Sequence, residues 1–568
     1  MHNKKKALTN RSNLFIGWWI FAIVCRILAS ITHAHWFHPD EWRQTIEPAN
    51  LIAHGFGYHC QEFGLHLRNL TWPTLLAGIL KLTHWISPTS IDVRIFGINL
   101  LCGLMDLGIL WGWIQLLSQF SKKAQNWALA LLLLPWFTLY ESVNPKVEHL
   151  SEIAFWIALG CVARRAWFGV GLASVAIFAF RYPSILLSIG LIAGVLYPML
   201  RSRDFRPIPK MITGTLTGII LFGLSDWIFY GRPWESFWMY LQYNLWTGSS
   251  TLVFGQQSVR AYLELFSWDW GSHLALVPLS VFLGICSIYG LWEGLKRVQP
   301  WALAGVVYTV GHLLVPHKEG RFMLPIETLT RWAAFVGAVM ILKKIINTPM
   351  RRKITAQVAA VFLIVNGVIF LHALQGDLWK LRGTYRELGA HLQETPHVCA
   401  VLTPQEINSV LMPFIDGHHF PSPALGSYLL DENLSYAETR SSKVAWTEYF
   451  PLCGKGEQIL LHVHKPETAW EQDGCTLLRS GVLRILPHSA WNWSLEKNLV
   501  DGPWYRCPPE ILNHFAGQWT RSVFSKKFGK FESLPPWDIT AQELENLGLQ
   551  TSPPPPDVLM PSLAHPAY

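Results

Sequence analysis

The chain has 568 residues, 51% hydrophobic and only 15% charged, with 29 Trp, 30 Phe and a formal net charge of +8. Soluble globular proteins carry about 25% charged residues, and the mean hydropathy here is +0.23. These values exclude a disordered chain, an ordinary soluble enzyme and a nucleic-acid binder with a broad basic face, and nine Cys are too few for a disulfide scaffold.

Apolar runs suited to crossing about 30 Å of hydrocarbon lie at 13–32, 71–88, 92–118, 126–140, 150–163, 167–182, 183–200, 209–230, 272–295, 300–316, 327–343 and 355–374. They predict a polytopic α-helical membrane protein of about 11–13 spans. Several runs are short, which suits tilted or broken helices around a cavity. The first lacks a small-residue cleavage site and is followed by further spans, so it reads as a signal anchor.

Basic clusters set the orientation. They are Lys4–Lys6 with Arg11, Arg164-Arg165, Arg201/Arg203/Arg206/Lys210, Lys296-Arg297, and Lys343/Lys344/Arg351/Arg352/Lys353. Placed in the cytosol, they put residues 33–70, 231–271, 316–326 and everything after 375 on the other side. Lys122-Lys123 also favour the cytosol, and the crossings between 71 and 140 then have the wrong parity. Either one run there is re-entrant or 92–118 is two helices.

After residue 374 the chain turns polar, with strand-like stretches at 398–402, 458–463 and 476–486. The organisation expected is a transmembrane module over 1–374, an extracytosolic α/β domain over 375–550 and a Pro-rich disordered tail over 551–568. Cys399, Cys453, Cys475 and Cys507 fall beyond 374. Disulfides are permitted on that side, and four buried free thiols are the alternative.

Four stretches carry the chemistry. The first is His35-Trp36-Phe37-His38-Pro39-Asp40-Glu41-Trp42-Arg43-Gln44, an acid pair directly after a span. Charge near that depth is costly and points to function. A carboxylate against an apolar wall can accept a proton from a sugar hydroxyl. An interfacial loop anchored by Trp36 and Trp42 is the plainer reading.

The second is Arg181-Tyr182-Pro183, at the turn of an apolar hairpin. An arginine there requires a partner. A phosphate held by the guanidinium is one, and a structural salt bridge is the other. The third is His317-Lys318-Glu319-Gly320-Arg321-Phe322, where Lys318 and Arg321 could hold an anion or merely face solvent. The fourth is the aromatic loop at 231–260, closed by Tyr243-Asn244 and suited to the membrane interface or to walling a lipid or sugar pocket. No P-loop or zinc spacing is present, and His33, His35 and His38 beside Asp40 are not diagnostically spaced for a metal.

In this order the motifs resemble the lipid-linked α-mannosyltransferases of the glycosyltransferase C superfamily. The elements that carry the resemblance are His38–Gln44, Arg68-Asn69-Leu70-Thr71-Trp72-Pro73, Arg94 with Asp106, Phe180–Ser184, Phe229-Tyr230-Gly231 with Tyr243–Ser250, and His317–Phe322 with Pro325. Gly255-Gln256-Gln257-Ser258 stands where eukaryotic members commonly have Gly-Thr-His-Pro-Trp.

The resemblance implies an inverting transferase that moves mannose from a polyprenyl-phosphate-mannose donor to a glycolipid or glycan acceptor. Asp40 is then the base and Glu41 its helper. Arg181, Lys318, Arg321 and His317 bind the donor phosphate. His38, Gln44, Arg68, Tyr243 and Asn244 are candidates for acceptor or sugar binding. No metal, no cofactor and no nucleic-acid partner are expected. The partners are the donor, the acceptor and the bilayer, and the site faces the endoplasmic-reticulum lumen or a bacterial periplasm. Transfer of another sugar, or transport of a lipid-linked sugar, is the alternative. A transporter would favour an inverted repeat, and none is visible.

Overall fold

The computed structural model describes residues 2–32, 42–54, 61–87, 91–133, 141–247, 258–260, 277–315, 318, 320–345, 398–404, 426–430, 458–462, 471–472, 474–479 and 504–507. Thirteen helices are named here: α1 (His2–Thr32), α2 (Glu47–His54), α3 (Thr71–Ile86), α4 (Ile91–Leu117), α5 (Lys122–Leu133), α6 (Val147–Arg164), α7 (Trp167–Phe180), α8 (Ile185–Ser202), α9 (Ile208–Tyr230), α10 (Glu235–Leu241), α11 (Val277–Lys296), α12 (Pro300–Leu314) and α13 (Leu324–Ile345). A π-helical turn at Trp42–Ile46 precedes α2, and another at Gln242–Trp246 follows α10. The expected span at 355–374 and the Pro-rich tail lie outside the described residues.

Among the described residues, four segments are long and apolar enough to cross a membrane alone: Val93–Leu117, Tyr182–Ser202, Ile208–Tyr230 and Leu324–Ile341. Ile16–Ile31, Trp167–Phe180 and Pro300–Leu314 are apolar but shorter. The chain divides into two compact units. One gathers 1–33, 98–225 and 257–374; the other gathers 34–97, 226–256 and 375–568.

Glycine sets the helix packing of the first unit. A Cβ on Gly112 of α4 would lie 2.2 Å from the Trp156 carbonyl oxygen of α6, and one on Gly160 would lie 2.3 Å from the Trp111 ring. Backbones this close exclude any side chain, which is how small residues join membrane helices. Gly290 of α11 and Gly337 of α13 make the same approach to Ala333 and Cys286. Trp113, Trp156 and Trp332 fill the centre of α4, α6 and α13, with ring centroids 4.9–6.0 Å apart.

These contacts fix the relative directions of α1, α4 and α6. Asp106, Gly108 and Gly112 of α4 meet His149, Ile153 and Trp156 of α6 in ascending order, so the two helices run parallel. Arg26 of α1 packs at Gly103, while Trp18, two turns earlier, donates to Asn126 at the start of α5. Hence α1 runs antiparallel to α4. The C-terminal end of α1 and the N-terminal part of α4 therefore lie on the same side of the helix bundle. The stretch at 92–118 is one continuous helix, not two.

In the second unit, β1 (Val398–Pro404), β2 (Gly426–Leu430), β3 (Gln458–His462), β4 (Thr476–Arg479) and β5 (Trp504–Cys507) form a sheet ordered β2-β1-β3-β5-β4. β1 pairs parallel with β2 and β3, and β5 pairs antiparallel with β3 and β4. Parallel neighbours require long crossovers, so the sheet cannot be a simple meander. Cys475 is disulfide-bonded, so not all four cysteines beyond residue 374 are free thiols. Cys25, Cys102, Cys161 and Cys286 are buried free thiols.

The helix directions give a topology test. A cysteine placed at residue 89 should label from the same side as one in the 33–70 loop and from the opposite side to one at residue 120. Opposite labelling of 89 and the 33–70 loop would make α3 a true span.

Candidate functional site: buried ion pairs and a polar loop cluster

The first unit holds a buried ionic network. Arg26 projects from a face of α1 otherwise made of small residues, including Ala22, Ala29 and Ser30. Its Nε donates to Asp106 Oδ2 at 2.9 Å. The other Asp106 oxygen lies 3.0 Å from His149 Nε2, and His149 Nδ1 lies 3.2 Å from Glu152 Oε2. Both ring nitrogens thus face carboxylates, and both can donate only as the imidazolium. Lys146 donates to Glu141 at 3.0 Å, and Arg331 pairs with Glu327 one helical turn away. A small cavity of about 20 Å³ is lined by Arg26, Asp106, Glu141, His149, Glu152 and Arg331 among others. That is room for about one water. Arg26 Nη1 and Glu152 Oε1 have no hydrogen-bond partner among the described residues.

Arg181 sits in extended backbone between α7 and the 3₁₀ turn Tyr182–Ser184. Pro183 cannot donate to the preceding turn, which helps break the hairpin there. The side chain is 4% exposed and pairs with Glu148 in the first turn of α6. Its guanidinium carbon lies 4.5 Å from the centre of the Phe322 ring, a cation–π distance. Nε has no hydrogen-bond partner among the described residues.

Phe322 is fixed in turn, because Tyr308 donates its hydroxyl to the Phe322 carbonyl at 2.6 Å. His312 stacks on Tyr308 with centroids 4.0 Å apart. Lys318 is buried, with Nζ donating to the Val315 carbonyl at 2.6 Å. Arg321 falls in the 3₁₀ turn Gly320–Met323 that follows. Arg181 and the 318–323 loop are therefore brought together through Phe322. The salt-bridge partner envisaged for Arg181 is present as Glu148.

The second unit holds a polar loop cluster. Asp226, at the end of α9, is fully buried. It accepts from Asn69 Nδ2 at 2.8 Å and from the amide and hydroxyl of Ser236. Asn69 Oδ1 accepts the Thr71 amide and so starts α3. The amide nitrogen of this sequon asparagine is thus engaged within the fold. Arg68 donates to Glu62 at 2.8 Å, while its carbonyl accepts the Tyr230 hydroxyl at 2.9 Å.

His66 stacks on Tyr230 with centroids 4.3 Å apart and lies 3.8 Å from Glu235. Burial lowers its pKa, against the opposing charge of Glu235. Tyr243 lies in the π-helical turn, and burial with the charge of Glu62 pushes its phenol up to about 12. Asn244 donates to the Tyr240 carbonyl at 2.9 Å. Gln44 is buried in the turn before α2. Arg68 and Tyr243 thus share Glu62 as a neighbour. Trp238, Leu245 and Trp246 are exposed beside them.

His33, His35, His38, Asp40, Glu41, His317 and Glu319 lie outside the described residues. The sequence reading missed Arg26, His149, Glu152, Glu148 and Asp226 as members of buried networks. Charge inside an apolar run was the available signal. It is plain for Arg26, Asp106 and Asp226, and weaker at 148–152, where the run begins.

The Alg9-like mannosyltransferase family model matches residues 17–422. The chain belongs to that family. Among similar curated family relatives, GPI mannosyltransferase 3 of Yarrowia lipolytica is 25% identical over 365 residues, covering 60% of this chain and 65% of the relative. GPI mannosyltransferase 3 of Drosophila melanogaster is 22% identical over 346 residues, covering 57% and 58%. The human GPI alpha-1,2-mannosyltransferase 3 is 23% identical over 330 residues, covering 54% of each chain. The match thus spans roughly three-fifths of the length of these relatives. ArnT from Cupriavidus metallidurans bound to undecaprenyl phosphate aligns with a TM-score of 0.48 and 12% identity, over 88% of this chain and 99% of its own. An Archaeoglobus fulgidus oligosaccharyltransferase aligns with a TM-score of 0.41 and 12% identity, over 78% of this chain and 68% of its own.

Removing one member of a buried pair strands the other, at a cost of about 3–5 kcal/mol. Arg26→Met should therefore lose about that much stability in detergent unfolding. Arg26→Met with Asp106→Asn should recover at least half of it. A double variant as unstable as the sum of its parts would show that the two residues do not act as a pair.

Proposed function

We propose that this member of the Alg9-like family is an integral membrane transferase of the glycosyltransferase C type. It moves mannose from polyprenyl-phosphate-mannose to a glycolipid or glycan acceptor with inversion, giving an α-mannoside. The observation that carries the reading is Arg181. It is a buried guanidinium at the break of an apolar hairpin, stacked on Phe322 of the loop that holds Lys318. Cations fixed where a phosphate leaves stabilise the charge that develops on it. The names of the matched relatives support a glycolipid acceptor and an α-1,2 linkage.

In this mechanism Asp40 takes the proton of the acceptor hydroxyl, with Glu41 orienting it. The acceptor oxygen attacks the anomeric carbon from the face opposite the phosphate. Arg181, Lys318, Arg321 and His317 hold the departing phosphate. His38, Gln44, Arg68, Tyr243 and Asn244 line the acceptor and sugar side. The lipid tail stays in the bilayer, and the exposed Trp238, Leu245 and Trp246 suit its headgroup region. The active site faces the extracytosolic side, together with the domain expected after residue 374.

The test is transfer of labelled mannose from polyprenyl-phosphate-mannose into a total lipid extract by purified protein. Wild type should form a product and Asp40→Asn none, with both folded. Arg181→Ala should raise the donor KM on the order of tenfold or more, as expected for a lost hydrogen bond to a charged group, and shift the acceptor KM far less. Near-normal turnover by Asp40→Asn would remove the base assignment. Transfer of a different sugar in preference to mannose would redefine the donor.

A further inference from the structure

We propose that Glu148 is a specificity-determining residue that weakens the preference of the Arg181 site for a doubly charged phosphomonoester over a singly charged phosphodiester. The inference rests on the donor assignment above. Transfer breaks the bond between the anomeric carbon and the phosphate oxygen, and the electron pair stays on the phosphate. The acceptor oxygen forms the new bond to that carbon, and its proton passes to the base. The lipid phosphate therefore enters as a diester with one negative charge and leaves as a monoester with nearly two near neutral pH. A pocket built only of cations would hold the product more tightly than the substrate, and turnover would stall on release.

Glu148 opposes that outcome. Its carboxylate is 3% exposed and paired with Arg181, whose own side chain is 4% exposed. Any anion that reaches the guanidinium also meets the Glu148 charge at short range and with little solvent to screen it. Coulomb repulsion scales with the charge of the anion, so the monoester is penalised about twice as strongly as the diester. Arg181 nonetheless keeps a donor to offer, because Nε is buried without a hydrogen-bond partner among the described residues. The Phe322 ring lies against the guanidinium, its centre 4.5 Å from the guanidinium carbon. Glu148 is itself placed by the first turn of α6, where a carboxylate is favoured by the helix dipole.

The experiment uses the full chain with undecaprenyl-phosphate-mannose as donor and undecaprenyl phosphate as product inhibitor. Glu148→Gln keeps an oxygen acceptor for Arg181 and removes the charge. Its inhibition constant for undecaprenyl phosphate should fall on the order of tenfold or more relative to the donor KM. Product should appear as a burst of about one per enzyme, followed by a slower steady state, because release limits turnover. Glu148→Asp keeps the charge and should keep the wild-type ratio. An equal shift of both constants in Glu148→Gln without a burst would overturn the inference, as would a burst in Glu148→Asp. Direct binding gives the same reading: a ratio of undecaprenyl-phosphate to undecaprenyl-phosphate-mannose affinity that is unchanged between wild type and Glu148→Gln would overturn it as well. Wild type that fails to use the donor at all would instead sink the reading on which the inference rests.

Discussion

An isolated charge inside an apolar helix bundle is expensive, and the first unit is arranged around meeting that cost. Arg26, Asp106, His149 and Glu152 join α1, α4 and α6 in one continuous chain of contacts. Glu148 joins the start of α6 to the break between α7 and α8 through Arg181. The pairs demand short distances between backbones, and the glycines of α4 and α6 provide them. Packing and charge therefore specify one another. Small residues let helices approach at many offsets, and polar contacts select one.

The same constraint shapes the proposed donor site. Arg181 can occupy an apolar hairpin because Glu148 and the Phe322 ring receive it. A second anion-binding role is then a matter of competition between a ligand and a resident carboxylate. In the other unit, Asp226 plays the organising part. By gathering Asn69 and Ser236 it fixes the entrance to α3 and the start of α10. Arg68, His66 and Tyr243 lie along the residues so fixed.

Much of this was legible in the sequence because membrane solvation leaves strong marks. Runs of apolar residues gave eleven of the helices' approximate positions, and the Arg181 break was marked by Pro183. The helical fold and the family followed from motifs spaced along the first 345 residues. What the sequence could not give was pairing. Whether 92–118 was one helix or two depended on contacts with α1 and α6, since hydropathy carries no direction. Arg181 needed a partner on charge grounds alone, yet nothing in its neighbourhood along the chain pointed 33 residues back to Glu148. The sheet was only partly visible, because β2 and β5 are short and their pairing is non-local.

The central claim is that a lipid phosphate is held at Arg181. The most direct measurement is a cryo-electron microscopy map of the wild-type protein with undecaprenyl phosphate. The account predicts phosphate density within hydrogen-bond reach of the Arg181 guanidinium, beside the loop that carries Lys318. Phosphate density resting on Arg68 of the other unit, with nothing at Arg181, would contradict it.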